Sequence, residues 1–117
     1  MRPLVLAVLV CMCTIAHAYA DTYKITAYCA CKLCCGPRAK GITASGKPIR
    51  YGYVACNWLP YGTIVYIDTL GYYTVMDRGA KSLFGSKYNK IKHLDVYLPS
   101  HRAAKKFGVK YLNVTIK

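Results

Sequence analysis

TIVYIDTLGYYTVMDRG, residues 63–79, decides the fold. Its two apolar runs, TIVYI (63–67) and YYTVM (72–76), consist, Met76 apart, of β-branched and aromatic residues of the kind that pack on a pleated surface. Between them lie Asp68, Thr69, Leu70 and Gly71. An aspartate opening a turn hydrogen-bonds its own backbone, and a glycine closing it tolerates positive φ, so a β-hairpin is expected here. Asp68 is thereby assigned to the turn. The second run passes straight into Asp77, Arg78 and Gly79, a polar triplet following an apolar strand.

Working outward, TYKITAY (22–28) alternates polar and apolar residues, as a half-buried strand does, and GYVAC (52–56) reads as another that stops before Pro60. Residues 36–51, punctuated by Gly and Pro, are expected to be mostly loop. Beyond a polar loop rich in Gly, Ser, Lys and Asn, LDVYL (94–98) returns to strand. Ser100 is a natural N-cap for a short helix that buries Ala103, Ala104 and Phe107 and stops at Gly108. Residues 110–116 alternate again. Six strands and one helix in 117 residues leave room for one domain: mainly β, a small closed or nearly closed barrel. No internal repeat occurs, and no GxGxxG or GxxxxGK[ST] run, which excludes the common nucleotide-binding motifs.

The N-terminus has the three parts of an export signal: Arg2, an apolar run over 4–15, and the small residues Ala18 and Ala20 flanking Tyr19. A signal peptide over 1–20 and a mature domain over 21–117 are expected, in a secreted, periplasmic or cell-wall location. The alternative is an uncleaved signal that anchors the chain, although its apolar run is shorter than the ~20 residues of a full span.

Export would place the cysteines in an oxidising compartment. Cys11 and Cys13 belong to the leader, and Cys29, Cys31, Cys34, Cys35 and Cys56 remain as disulfide candidates. The segment CACKLCC (29–35) also resembles a thiolate metal cluster, but no histidine is close in sequence and no CxxC…CxxC pair occurs. No metal and no other cofactor is therefore expected. Five is odd, so one thiol is left free or pairs elsewhere.

The chain carries 17 Lys+Arg against 4 Asp+Glu, a formal charge of +13, and no glutamate. Such a field attracts anionic polymers. For an exported protein these are peptidoglycan and anionic wall polymers; no helix-turn-helix, zinc finger or RRM pattern points to a specific nucleic acid. A monomer is expected. Carboxylates are scarce enough to be informative. Asp21 lies at a fraying terminus, whereas Asp77 and Asp95 each follow an apolar strand residue. Half-buried aspartates need either an ion-pair partner, for which lysines abound, or a chemical task. His93 and His101 are the histidines outside the leader, with His101 expected solvated in a helical first turn. No GxSxG elbow is present.

From Thr26 to the C-terminus the chain resembles the three-aspartate (3D) domain family, which is related to the catalytic domain of membrane-bound lytic transglycosylase A. The matching pieces, in the family's order, are Thr26-Ala27-Tyr28 with the Cys-rich cluster, TASG (43–46), LPYGT (59–63), VMDRG (75–79), LDVY (94–97), and Ala104 with Phe107 and Gly108. The barrels of rare lipoprotein A share several of these segments. The resemblance implies a double-psi β-barrel. It places Asp77 and Asp95 at the family's second and third aspartates, the third being the catalytic acid, and Asn57 where the first would be. The implied activity is that of a lytic transglycosylase on the MurNAc–GlcNAc β-1,4 bond. The implied substrate contacts are Asn57, Tyr28, Thr43 and Ser45 along a glycan groove and Arg78 toward a peptide-stem carboxylate. Such an acid needs a raised pKa, so burial and the like charge of Asp77 must outweigh the surrounding cations. The alternative is a non-catalytic module that binds or loosens wall polysaccharide, as expansin-type and barwin-type barrels do. A basic secreted factor acting on membranes or nucleic acid is a third reading.

Overall fold

The computed structural model describes residues 20–36 and 39–117. The expected signal peptide, with Cys11 and Cys13, lies outside them apart from Ala20. Six strands form one closed barrel: β1 (Ala20–Tyr28), β2 (Tyr53–Ala55), β3 (Ile64–Ile67), β4 (Gly71–Asp77), β5 (His93–Tyr97) and β6 (Lys110–Ile116), in the order β1-β5-β2-β4-β3-β6. The pairs β1–β5 and β2–β4 are parallel, and the other four are antiparallel. This is the mainly β, six-stranded barrel that the strand pattern implies. Closure leaves no strand edge unpaired, which matters for strands as short as three residues.

Alternation fills the interior. Ile25, Val54, Val65, Ile67, Val75, Leu94, Val96 and Val114 form the barrel core with Tyr23, Cys56, Leu59 and Tyr73. The β3–β4 hairpin turns where expected: Leu70 N donates to Ile67 O at 2.9 Å, and both Thr69 and Gly71 adopt positive φ. At the barrel's side, α3 (His101–Phe107) packs on β1 and buries Ala104. Ser100 Oγ accepts from Ala103 N at 3.0 Å, the expected cap.

One expectation needs correcting: the described residues hold three helices rather than one. The other two are single turns, α1 (Lys32–Cys35) and α2 (Lys81–Phe84), each closed by a glycine with positive φ, Gly36 and Gly85. Four residues are too few to show a helical period, so such turns leave no amphipathic signal.

Two irregularities shape the region around Asp77. Val54 pairs with Val75, but Ala55 pairs with Asp77, so β4 carries one extra residue, Met76, against β2. Such a bulge re-aims the side chains beyond it. Without it Met76 would oppose Ala55, and Asp77 would follow Tyr73 and Val75 toward the core. The second is the close approach of Gly79 to α2, where an added Cβ would collide with the Phe84 ring.

Candidate active site

Strand register assembles the site. Thr26 on β1 is the partner of Asp95 on β5, Asp95 is the partner of Ala55 on β2, and Ala55 is the partner of Asp77 on β4. The sequence-remote residues Thr26, Asp95, Ala55 and Asp77 thus form one row across four adjacent strands. Directly opposed residues share a sheet face, so both carboxylates flank the smallest side chain in the row, about two strand spacings or 9–10 Å apart at Cα. Above the row opens a cleft of about 460 Å³, lined by Tyr28, Ala55, Asp77, Arg78, Leu83 and Asp95.

Neither carboxylate has a cation. The one ion pair among the described residues joins Lys92 to Asp21, at 3.1 Å. Asp77 instead accepts three hydrogen bonds: from Tyr28 OH at 2.7 Å, Ala44 N at 2.8 Å and its neighbour Arg78 N at 2.9 Å. Asp95 has one partner, Thr26 Oγ1, at 2.8 Å. Burial pushes the Asp95 pKa up to about 6; the nearby Asp77 charge acts in the same direction, and donation from Thr26 opposes both.

Thr26 has a second partner that alters this balance. Its Oγ1 also lies 2.8 Å from His93 Nε2, and His93 Nδ1 lies 3.1 Å from Leu83 O. A carbonyl only accepts, so Nδ1 carries a proton. His93 is buried and stacks on Phe84 at 4.0 Å. Burial lowers its pKa, which keeps the ring neutral and Nε2 bare. The threonine then has one proton for two acceptors if Asp95 is ionised. A protonated Asp95 resolves the conflict: it donates to Thr26, Thr26 to His93, and His93 to Leu83. Every hydrogen is used once, so this chain favours the acid form. Asp95 is legible as a candidate in the sequence, but the part of Thr26 and His93 in its chemistry is not. The available signal is the pair His93 and Asp95 on one strand, two residues apart and hence on one face.

The remaining candidates fall into place differently. Tyr28 is 7% exposed, with Tyr97 against it edge-on, so it holds Asp77 rather than offering a stacking face to a sugar. Thr43 is also buried; its hydroxyl bonds Ser45 Oγ at 2.7 Å and Lys47 O at 3.0 Å, closing the TASG turn that delivers Ala44 N to Asp77. Asn57 spends both ends of its amide on backbone. Nδ2 donates to Gly79 O and Gly85 O, and Oδ1 accepts from Gly79 N at 2.7 Å. It pins the loop that carries α2 across the cleft. Arg78 lies over the Tyr61 ring at 3.9 Å and donates from Nη1 to Cys56 O at 2.7 Å. Arg78 is the cationic residue among those that line the cleft.

The cysteines depart from the disulfide expectation. All five described cysteines are free thiols. Cys56 is fully buried in the barrel core as a small hydrophobe, whereas Cys29, Cys31 and Cys34 converge with His101 beside the cleft. His101, expected solvated, faces those sulfurs through Nδ1.

Among known proteins, the chain matches no family profile, and no characterised protein is significantly similar to it.

Two substitutions test this geometry. A carboxyl whose pKa is higher folded than unfolded gives stability that is complete below the unfolded value and lost as pH rises through the folded one. From 3.8 to about 6 the loss is roughly 3 kcal/mol. Urea unfolding should therefore show wild type losing about that much relative to Asp95→Asn between about pH 3.5 and 8. A pH-independent difference would refute the buried, cation-free Asp95. Asn57→Asp should destabilise by at least about 2 kcal/mol, because a carboxylate would face two carbonyl oxygens it cannot donate to. An unchanged urea midpoint would contradict the pinning role.

Proposed function

We propose that this chain cleaves peptidoglycan glycan strands as a lytic transglycosylase, with Asp95 as its general acid and then base. The observation that carries the reading is a half-buried carboxyl, facing a cleft, with no cation against it, whose pKa burial pushes up to about 6. The substrate class comes from the ordered resemblance to the 3D domain.

In the proposed reaction Asp95 gives its proton to the glycosidic oxygen as the bond from the muramyl C1 breaks. The muramyl 6-hydroxyl then attacks C1 and its proton passes to Asp95. One C–O bond breaks, one forms, and the acid is regenerated without water. A single carboxyl suffices, whereas hydrolysis with a glycosidase pair needs a second carboxyl as nucleophile or base. Asp77, held by Tyr28 and the TASG turn, supplies a fixed negative charge two strands away that favours positive charge developing on the sugar. Ala55 leaves space between the two carboxyls. Arg78, which lines the cleft, would meet a peptide-stem carboxylate.

A second reading, a binding module without catalysis, is favoured by a different observation. Tyr51, Tyr72, Tyr88 and Tyr111 are all exposed on a chain of charge +13, which suits adsorption to an anionic glycan surface.

Muropeptide analysis of purified peptidoglycan separates the two. Wild type should release 1,6-anhydro-muropeptides, Asp95→Asn at least ~100-fold fewer, with the wild-type rate falling as pH rises above about 6. Reducing-end products would mean hydrolysis. No products from either protein, with both still pelleting with the wall, would favour the binding module.

A further inference from the structure

Cys29, Cys31, Cys34 and His101 have no part in the proposed glycan chemistry, yet their ligand atoms all lie within 4.8 Å of one another. We propose that these four residues form a closed, structural zinc site that ties the end of β1 to α1 and α3.

The donor set is a Cys₃His constellation, one of the common structural zinc sets. His101 Nδ1 is 3.8 Å from Cys29 Sγ, 3.5 Å from Cys31 Sγ and 3.4 Å from Cys34 Sγ. A tetrahedral zinc with its usual bond lengths has sulfur–nitrogen edges of about 3.6 Å, which these three distances bracket. Cys29 Sγ lies 2.7 Å from Cys31 Sγ and 3.3 Å from Cys34 Sγ. The corresponding zinc edges are about 3.8 Å, so the sulfurs must spread by up to about 1 Å. All three are free thiols.

The selection of ligands is specific. Cys35 turns away, its Sγ donating to Cys29 O at 3.1 Å, and Cys56 is sealed in the core. Three of five thiols converge on the one imidazole that a helix start brings from 67 residues beyond Cys34. Apart from the Leu33 backbone N–H beside Cys31 Sγ, the sulfurs of the three have their hydrogen-bonding partners within the cluster among the described residues. Deprotonated, they would be an uncompensated group of thiolates, which a divalent cation satisfies. Four protein ligands leave no open position for water or substrate, so the site is structural rather than catalytic. Its consequence for the cleft is direct. Cys29 follows Tyr28, whose hydroxyl donates to Asp77, so a metal there would fix the end of β1 and that contact with it. None of this rests on the glycan-cleaving reading.

The test uses the full chain, purified reduced and without chelator, together with a form carrying Cys11→Ser and Cys13→Ser so that only the five described thiols count. Elemental analysis should give one zinc per chain in both forms. Cobalt(II) in its place should give the intense ligand-field bands of tetrahedral coordination and a thiolate charge-transfer band, a readout on the unsubstituted cluster that needs no folded variant. Cys34→Ser and His101→Ala should lose the stoichiometric metal, whereas Cys35→Ser and Cys56→Ser retain it. Chelation should lower the melting temperature of the wild type. Reduced protein that binds no zinc or cobalt would overturn the proposal. So would metal lost equally on Cys35→Ser, or metal that vanishes with Cys11 and Cys13.

Discussion

Asp95 is a half-buried carboxyl with no cation against it, in a chain whose net charge is +13. Most of the neighbouring structure either imposes that condition or compensates for it. Burial alone penalises the charged form, and the strands place a second carboxyl, Asp77, two positions along the same row. Together they raise its pKa to about 6, so Asp95 keeps its proton to a higher pH than an ordinary aspartate. Thr26 and His93 form a chain that ends on the Leu83 carbonyl; Asp95 donates into it when protonated and accepts from Thr26 when ionised. The Phe84 ring stacks on His93, and Gly79 leaves the room that ring needs.

The two carboxyls have unlike surroundings. Asp77 accepts from three donors, whereas Asp95 has one, so in the proposed reaction the first is an immobile charge and the second the proton carrier. Two carboxyls with unlike surroundings are how one site supplies unlike chemistry. The lysines that make the chain basic leave the row unpaired: the one ion pair among the described residues is Lys92 with Asp21. The TASG turn and Asn57 support the site as backbone anchors. Their hydrogen bonds run to the chain itself, so their contribution is placement of Asp77 and of the loop over the cleft.

Alternation of apolar and polar residues makes all six strands legible, because each has one face in the core, and Ser100 announces α3 through its capping chemistry. Asp77 and Asp95 stand out in the sequence as rare acids after apolar residues. What makes them a site is not legible. The bulge at Met76 is a property of pairing between β2 and β4, and simple alternation along 72–77 would turn Asp77 inward. The partners of Asp95 and of the cysteines come from strands and helices 67 to 72 residues distant, juxtaposed by barrel closure. The single turns α1 and α2 are too short to carry a period. Motif residues such as Tyr28, Thr43 and Asn57 are recognisable as important, but the same residue types serve a substrate or a backbone equally well, and only their hydrogen bonds distinguish the two.

The proposed reaction depends on Asp95 holding a proton at a pH where an ordinary aspartate would not. The most direct measurement is a carbon-13 NMR titration of the aspartate carboxyl resonances, with Asp95→Asn assigning the peak. A midpoint near 6 is expected for Asp95, against about 4 for an ordinary aspartate. A midpoint at or below about 4 would mean that the carboxyl is ionised and solvated in the folded barrel, and that the Thr26–His93 chain does not hold its proton.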